Sequence, residues 1–506
     1  MNMEFRKLFM NFLVVGALIA VVVYVITRSV LFMTGEYSPV ERVFAVMLIV
    51  GELFILLHAF GYAANIFRIM TSPKIREEMF PFSARAGGPS VAVLVTARHE
   101  PKEVLEKTFT TINAMDYPNK KVYFLDDSSE DSYKKEADEI ASEYGLVLFR
   151  RKIRHGAKAG IINDCLKNLT EKYVVIFDAD QNPMPNFLKV LVPMMERDDK
   201  LAFIQTPQFY SNIDKSAIAR GAAFQQAVFY EYICEGKSSG GAMFCCGTNV
   251  IFRREALVSV GGLDESTVTE DFATSVKLHS AGWRSRYYDH VSAFGMGPED
   301  LNSYFKQQFR WAVGTISVFR KLLWRFLTRP FSLKPLQWWE YFLSSTYYLI
   351  GIAFFFLMIC PITYLLFRIP SFFTHPEIYF FTFLPYLILS VSVFYIMLGN
   401  RHYSPQDLFI GQLLGVNTFS IYIRAAASAL LGVKVSFGVT GKVKEKRLPY
   451  WRLWPQMTMM FFCVVTVVWG ANRYIYEREP AILVNSLWAL YYFLALAAIF
   501  YFNEER

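Results

Sequence analysis

Two acidic pairs stand at the ends of short apolar runs. Val122 to Leu125 gives way to Asp126-Asp127, and Val174 to Phe177 gives way to Asp178-Ala179-Asp180. Carboxylates suit hard divalent cations, and Mg2+ is typically held by one or two of them together with substrate phosphates. An isolated Asp-x-Asp is more often a solvated loop, but two acidic strand ends in succession suggest a nucleotide-diphosphate site. Thr269-Glu270-Asp271 precedes a helical stretch, Phe272 to Ala281. Thr269 or Asp271 could simply cap that helix. Alternatively Asp271 is a general base, since inverting attack of a sugar hydroxyl on an activated anomeric carbon needs one base at hydrogen-bond reach. Gln307, Arg310 and Trp311 fall within about one helical turn. A guanidinium neutralises a diphosphate and an indole stacks on a sugar ring, although Arg and Trp are also ordinary in an amphipathic interface helix.

Positioning these groups requires a sheet. The runs Val91 to Thr96, Val122 to Leu125 and Val174 to Phe177 read as strands, with helical stretches such as Lys102 to Met115 and Ser132 to Tyr144 between them. This alternation predicts a mainly parallel sheet with right-handed crossovers, and ligands then bind at the carboxyl ends of the strands, where the acidic pairs fall.

The rest of the chain is made for lipid. Hydrophobic residues are 54% of the 506 and charged residues 19%, against about 25% in soluble proteins. Six apolar segments are of spanning length: Leu8–Thr27, Val43–Phe67 (interrupted by Glu52 and His58), Tyr341–Phe367, Ile378–Asn400, Leu453–Asn472 and Ala481–Asn503. The first is too long for a signal-peptide core and lacks a small-residue cleavage site, so it is expected to remain. Arg6 and Lys7, then Arg68, Lys74 and Arg76, orient the first two spans so that the region between about 71 and 335 faces the cytosol. Tyr304 to Phe326 and Leu408 to Val433 are expected to be interface helices. The net charge of +8 is concentrated beside apolar segments, which favours acidic headgroups or a pyrophosphate over nucleic acid. The six cysteines have no metal-ligand spacing. Glu52 is the one intramembrane acid, which a transporter would claim.

Together, Asp126-Asp127, Asp178-x-Asp180, Thr269-Glu270-Asp271 and Gln307-x-x-Arg310-Trp311 resemble the motif set of processive family 2 glycosyltransferases, and the chain looks like bacterial cellulose synthase catalytic subunits. Further matches are Phe203-Ile204-Gln205-Thr206-Pro207-Gln208, Phe244-Cys245-Cys246-Gly247-Thr248 and Phe437-Gly438-Val439-Thr440-Gly441-Lys442. The resemblance implies a multi-pass α-helical membrane protein with an inserted cytosolic α/β GT-A-like glycosyltransferase domain. Its parts would be two spans (1–70), the catalytic domain (71–298), amphipathic helices with Gln307, Arg310 and Trp311 (299–335), and four further spans (336–506), including an interface helix (405–433) and a gating loop (434–449). Glu100, Asp126, Asp127 and Lys158 would hold the nucleotide of a UDP-sugar, and Asp178 and Asp180 the diphosphate and Mg2+ (or Mn2+). Asp271, with Glu270 and Thr269, would be the catalytic group, and Gln307 and Arg310 would bind diphosphate. Trp311, Cys246 and Thr248 would meet the growing polysaccharide, and Phe437, Val439, Thr440 and Lys442 would close over the donor.

The resemblance implies a polymerising, inverting enzyme of the cell membrane that uses UDP-glucose and passes a β-linked polysaccharide outward, with accessory export subunits as further partners. A non-processive transferase to a lipid, or a chitin or hyaluronan synthase, is the alternative of the same class; a transporter or scaffold with a decayed transferase domain is the alternative of another class. The sequence departs from the family pattern at Thr96-Ala97-Arg98-His99-Glu100-Pro101, where a Tyr-Asn usually precedes the Glu, and at Ser128, usually Gly. The chain stops at Arg506 without the cyclic-dinucleotide-binding domain of many relatives, so regulation through such a domain is not expected.

Overall fold

The apolar run from Val91 to Ala97 forms a strand buried on both faces, as expected for the middle of an α/β sheet. In this computed structural model, which describes residues 3–71, 87–371, 376–433 and 447–504, seven strands form the main sheet. They are β1 (Val91–Ala97), β2 (Lys120–Asp126), β3 (Val147–Phe149), β4 (Tyr173–Asp178), β5 (Leu201–Gln205), β6 (Val250–Arg253) and β7 (Arg284–Tyr287), in the spatial order β3-β2-β1-β4-β6-β5-β7. The expected parallel arrangement holds from β3 through β4, whereas β6 runs antiparallel to both its neighbours. Alternate residues of β1 enter opposite cores. Val91, Val93 and Val95 pack with Phe109, Ile140 and Leu191, while Ala92 and Leu94 pack with Ile161, Ile162 and Leu278.

Other helices flank the domain in sequence and carry it to the membrane, while α3 (Glu270–Ser280) lies within it, between β6 and β7. The flanking helices are α1 (Met3–Thr34), α2 (Pro39–Thr71), α4 (Leu301–Thr328), α5 (Ile350–Phe367), α6 (Pro376–Gly399), α7 (Pro405–Asn417), α8 (Phe419–Leu430), α9 (Trp454–Glu477) and α10 (Pro480–Phe502). Six helical segments among the described residues are long and apolar enough to cross a membrane: Leu8–Thr34, Pro39–Met70, Pro335–Phe367, Glu377–Gly399, Tyr450–Glu477 and Pro480–Phe502. They coincide with the six segments read from the sequence. α4 is amphipathic. It starts at Asp300, whose carboxylate accepts from Ser303 N at 2.8 Å, a side-chain N-cap. It buries Tyr304, Gln308, Ala312 and Ile316 along one stripe and leaves Trp324 and Leu327 exposed near its far end.

The single interface helix expected over 405–433 is instead two helices, α7 and α8, bent by 48°. Thr418 sits at the bend, where its hydroxyl lies 3.3 Å from Tyr304 Oη, and Asn417 Nδ2 donates to Ala495 O at 2.9 Å. Polar anchors to α4 and α10 thus fix a break that hydropathy alone does not mark. The gating-loop residues Phe437, Val439, Thr440 and Lys442 lie outside the described residues.

The catalytic domain is joined to the membrane helices by backbone-level contact. A Cβ at Gly411 on α7 would stand 2.7 Å from Gln225 N and 2.9 Å from Phe224 C of the Ala217–Val228 helix. Gly411→Ala is therefore expected to cost about 1–3 kcal/mol through overpacking. Thermal unfolding of the protein in detergent should show the loss, while Gly399→Ala, where nothing lies within 4 Å, should leave the transition in place.

Candidate active site

Strand register brings the first acidic groups together. Thr96 of β1 pairs with Asp178 of β4, and Ala97 pairs with Asp126 of β2, so two acidic strand ends flank the end of β1. β1 lies between β2 on one side and β4 on the other, the point where chain direction across the sheet switches and a crevice opens. Asp178 is half-buried and Asp180 is buried. Lys158, from the helix Ala157–Leu166, donates to Asp178 Oδ1 and to Gly247 O at 2.8 Å. Burial alone would lower its pKa, but the charges of Asp178 and Glu270 outweigh that and hold it above its ordinary value.

Asp271 stands in the first turn of α3, where its Oδ1 accepts from Phe272 N at 2.7 Å. Its Oδ2 faces Gly247, at φ +88°, where any Cβ would lie 2.9 Å away. Gly247 thus keeps that oxygen approachable. Ser275 Oγ ties the site's two halves, donating to Asp271 O and accepting from Cys245 N, both at 2.8 Å. Burial, reinforced by the charge of Glu270, pushes the Asp271 carboxyl up to about 7, and burial likewise raises Glu270. A carboxylate so placed gains proton affinity without leaving the range in which it is ionised near neutrality, the tuning a general base requires.

Thr269 takes the N-cap position of α3 without a side-chain capping bond. Its hydroxyl lies 3.2 Å from Thr267 Oγ1, and its methyl packs where a Cβ on Gly314 of α4 would collide. Capping by Thr269 is therefore corrected to packing: the residue seats α4 against the Glu270-Asp271 turn. From α4, Gln307, Arg310 and Trp311 face the same cavity, and Gln307 Oε1 is buried without a hydrogen-bond partner among the described residues.

Most of the residues singled out in the sequence converge on one cavity of about 960 Å3, bordered by Glu100, Asp127, Lys158, Asp178, Asp180, Cys246, Thr269, Glu270, Asp271, Gln307, Arg310 and Trp311. It continues between membrane helices to Phe354, Phe394 and Tyr491. Two expected site residues lie behind the wall. Asp126 is 3% exposed and accepts from Arg150 Nε at 2.7 Å. Thr248, expected in the acceptor pocket, is 1% exposed, and its hydroxyl accepts from Asp178 N at 2.9 Å; it braces the end of β4. Sequence reading missed the arginines on Asp127, which accepts from Arg151 at 2.8 Å through two nitrogens and from Arg154 at 3.0 Å. The signal was available as Arg150-Arg151 and Arg154 directly after β3. Gln205, named in the Phe203–Gln208 match without a role, braces the wall: its side chain accepts from Cys246 N and donates to Thr248 O, both at 2.8 Å.

Among the described residues no three His, Cys, Asp or Glu side chains converge as a ready-made metal cage. Two carboxylates at a strand end fit an ion that arrives with, and is completed by, substrate phosphates.

Residues 89–314 match the family model described as Glycosyltransferase like family 2, and residues 258–482 match that described as Cellulose synthase. The two matches overlap over residues 258–314, so a family 2 glycosyltransferase region runs directly into a cellulose synthase region. It is 26% identical to the cellulose synthase catalytic subunit [UDP-forming] of Pseudomonas fluorescens (strain SBW25), over 97% of this chain and 67% of that protein. It is 27% identical to cellulose synthase 2 of Novacetimonas hansenii, over 93% of this chain and 30% of that one. A stretch covering 46% of this chain is 33% identical to the cellulose synthase catalytic subunit [UDP-forming] of Xanthomonas axonopodis pv. citri (strain 306), of which it spans 32%. The matches thus span two-thirds of one of these relatives and less than a third of the other two. Among solved structures, a mannosyltransferase from Pyrobaculum calidifontis in complex with GDP-Man and Mn2+ superposes with a TM-score of 0.52 at 18% identity, covering 76% of this chain and all of that one, which establishes the shared fold of the glycosyltransferase.

If Asp271 is the base, only its ionised form accepts a proton, so transfer should rise as pH increases through about 7 and level off above it. Asp271→Asn should abolish transfer while UDP binding, measured by calorimetry, stays near that of the parent. An active Asn protein would contradict the base assignment.

Proposed function

We propose that the chain is a processive, inverting glycosyltransferase that polymerises UDP-glucose into a β-linked glucan on the cytosolic face and passes the product through the membrane. The observation that carries this reading is the shape of the cavity, which holds Asp271 and Trp311 and runs on between membrane helices to Tyr491. A transferase releasing single water-soluble glycosides has no use for such an extension.

Asp271 accepts the proton of the acceptor hydroxyl as that oxygen attacks the anomeric carbon. The bond to UDP breaks on the opposite face, and the proton passes from Asp271 to solvent after the product advances. One displacement suffices, with no covalent enzyme intermediate. Arg310 and Lys158 offset the charge that collects on the departing diphosphate. Asp178 and Asp180 would hold Mg2+ or Mn2+, which when bound would neutralise the diphosphate as a Lewis acid. Trp311 supplies a flat apolar face on which the terminal sugar is aligned before the next transfer. Glu100 and Asp127 lie where the nucleoside would rest, and Arg151 and Arg154 orient Asp127. The cytosolic placement follows from the basic residues beside the first two spans and from the nucleotide-activated donor.

The test is incorporation of labelled sugar by the purified protein in lipid with a divalent cation, across a panel of UDP-sugars, with linkage-specific glucanase digestion. A high-molecular-weight product from UDP-glucose is expected. Trp311→Ala should shorten it, since the terminal sugar loses the flat apolar face that aligns it. Short or lipid-linked product from the parent protein would replace polymerisation with single transfer.

A further inference from the structure

The far end of α4 carries two arginines that no acid neutralises. Arg325 lies in the last turn of the helix and Arg329 caps it. Their charges are close enough to repel: burial, and then the charge of Arg329, lowers the pKa of Arg325 below its ordinary value. Among the described residues neither guanidinium has a carboxylate within ion-pair reach. Lys321, one turn earlier, does have such a partner in Asp264, at 3.7 Å.

The side chains around this pair are those of a membrane boundary. Trp324, Leu327 and Phe331 are exposed, Phe331 at 99%, and the membrane-crossing segment Pro335–Phe367 begins directly afterwards. The turn between them is held in place. Trp338 Nε1 donates to Pro330 O at 2.6 Å, and Phe326 meets Trp338 edge-on with centroids 5.3 Å apart. The same pairing of base with aromatic recurs where the segment Tyr450–Glu477 begins. There Trp451 is exposed, and Arg452 lies over its ring, 5.2 Å from the centroid.

What covers this surface follows from its chemistry. Aromatic groups beside a span settle at the headgroup level of a bilayer, and a protein partner would have to displace lipid from the adjoining span to reach them. Two unneutralised guanidinium groups call for phosphate. A zwitterionic headgroup brings its own cation, whereas an acidic one leaves a negative charge to meet them. The donor diphosphate is excluded as that partner. Neither arginine borders the catalytic cavity, and Arg325 lies fourteen residues beyond Trp311, about 21 Å along the helix.

We propose that Arg325 and Arg329 bind the phosphate of an acidic phospholipid in the cytosolic leaflet, with Trp324, Leu327 and Phe331 seated among its acyl chains. The site is independent of the polymerising function, and it gives the far end of α4 a task separate from the chemistry beside Trp311.

Trp324 reports on the site. The full chain is placed in vesicles of phosphatidylcholine and phosphatidylglycerol, with brominated acyl chains on one lipid or the other, and tryptophan fluorescence is followed against composition. Subtracting the signal of the Trp324→Phe protein isolates Trp324 from the rest of the nine tryptophans. Brominated phosphatidylglycerol should quench Trp324 at a lower mole fraction than brominated phosphatidylcholine does. Arg325→Gln and Arg329→Gln should each lower that preference about fivefold, the worth of one basic residue at an acidic surface, while quenching by phosphatidylcholine persists. Added salt should weaken the preference of the parent protein in the same direction. Monodisperse elution in detergent reports that each protein is folded. Equal quenching by the two lipids, or a preference that survives both Gln substitutions, overturns the proposal. So does a Trp324 that neither lipid quenches, which would give this surface to a protein partner.

Discussion

Asp178, Asp180, Glu270 and Asp271 converge on one cavity, and the structure depends on how their mutual repulsion is managed. Lys158 is bonded to Asp178 and to the backbone at Gly247, so it ties β4 to the loop that faces Asp271. The charge of Lys158 is held by those same acids, and the proton affinity of Asp271 is set by burial against Glu270. A donor diphosphate with its cation would enter this cluster without a net change of sign, which is why a site so acidic can accept a polyanion. Strand register supplies the precision: Asp178 is placed by pairing with β1, and the hydroxyl of Thr248 fixes its backbone from the antiparallel side.

The same cavity joins chemistry to the membrane. α4 carries Gln307, Arg310 and Trp311 to the site and packs Gly314 against Thr269, so the turn bearing Asp271 and the helix bearing Trp311 are in direct contact. Beneath the site, Glu340 accepts from Lys237 and from Arg68 of α2. These charges are nearly enclosed, with Lys237 at 3% and Glu340 at 1% exposure. Removing one partner of such a network strands the others, so the catalytic domain is pinned to α2 by groups that cannot separate cheaply. Gly411 allows the backbones to meet a few residues from the α7–α8 bend.

The sequence was most legible where one physical rule acted alone. Val122 to Asp126 and Tyr173 to Asp178 are buried on both faces for most of their length and end in acids, so their apolar runs marked both strand and site. The six apolar segments were long enough that no other placement was plausible. What remained hidden depended on partners distant in sequence. Nothing local told that β6 inserts antiparallel, that Thr248 would turn inward to brace β4, or that Thr418 would be held by Tyr304 at a bend. Arg28 was not recognisable as the partner of Glu52, because the pairing needs α1 and α2 side by side. Thr269 looked like a helix cap because capping is a local rule, and the packing demand of Gly314 on a different helix prevailed.

The central claim is that the product leaves Asp271 by the part of the cavity that runs between the membrane helices. Its most direct test is an electron cryomicroscopy structure of the full chain in lipid, stopped during synthesis with UDP and a divalent cation. The account predicts polysaccharide density starting beside Asp271, crossing Trp311 and passing Phe354 and Tyr491. Density that leaves the cavity on the cytosolic side, or threads the helices without entering the cavity, would contradict it.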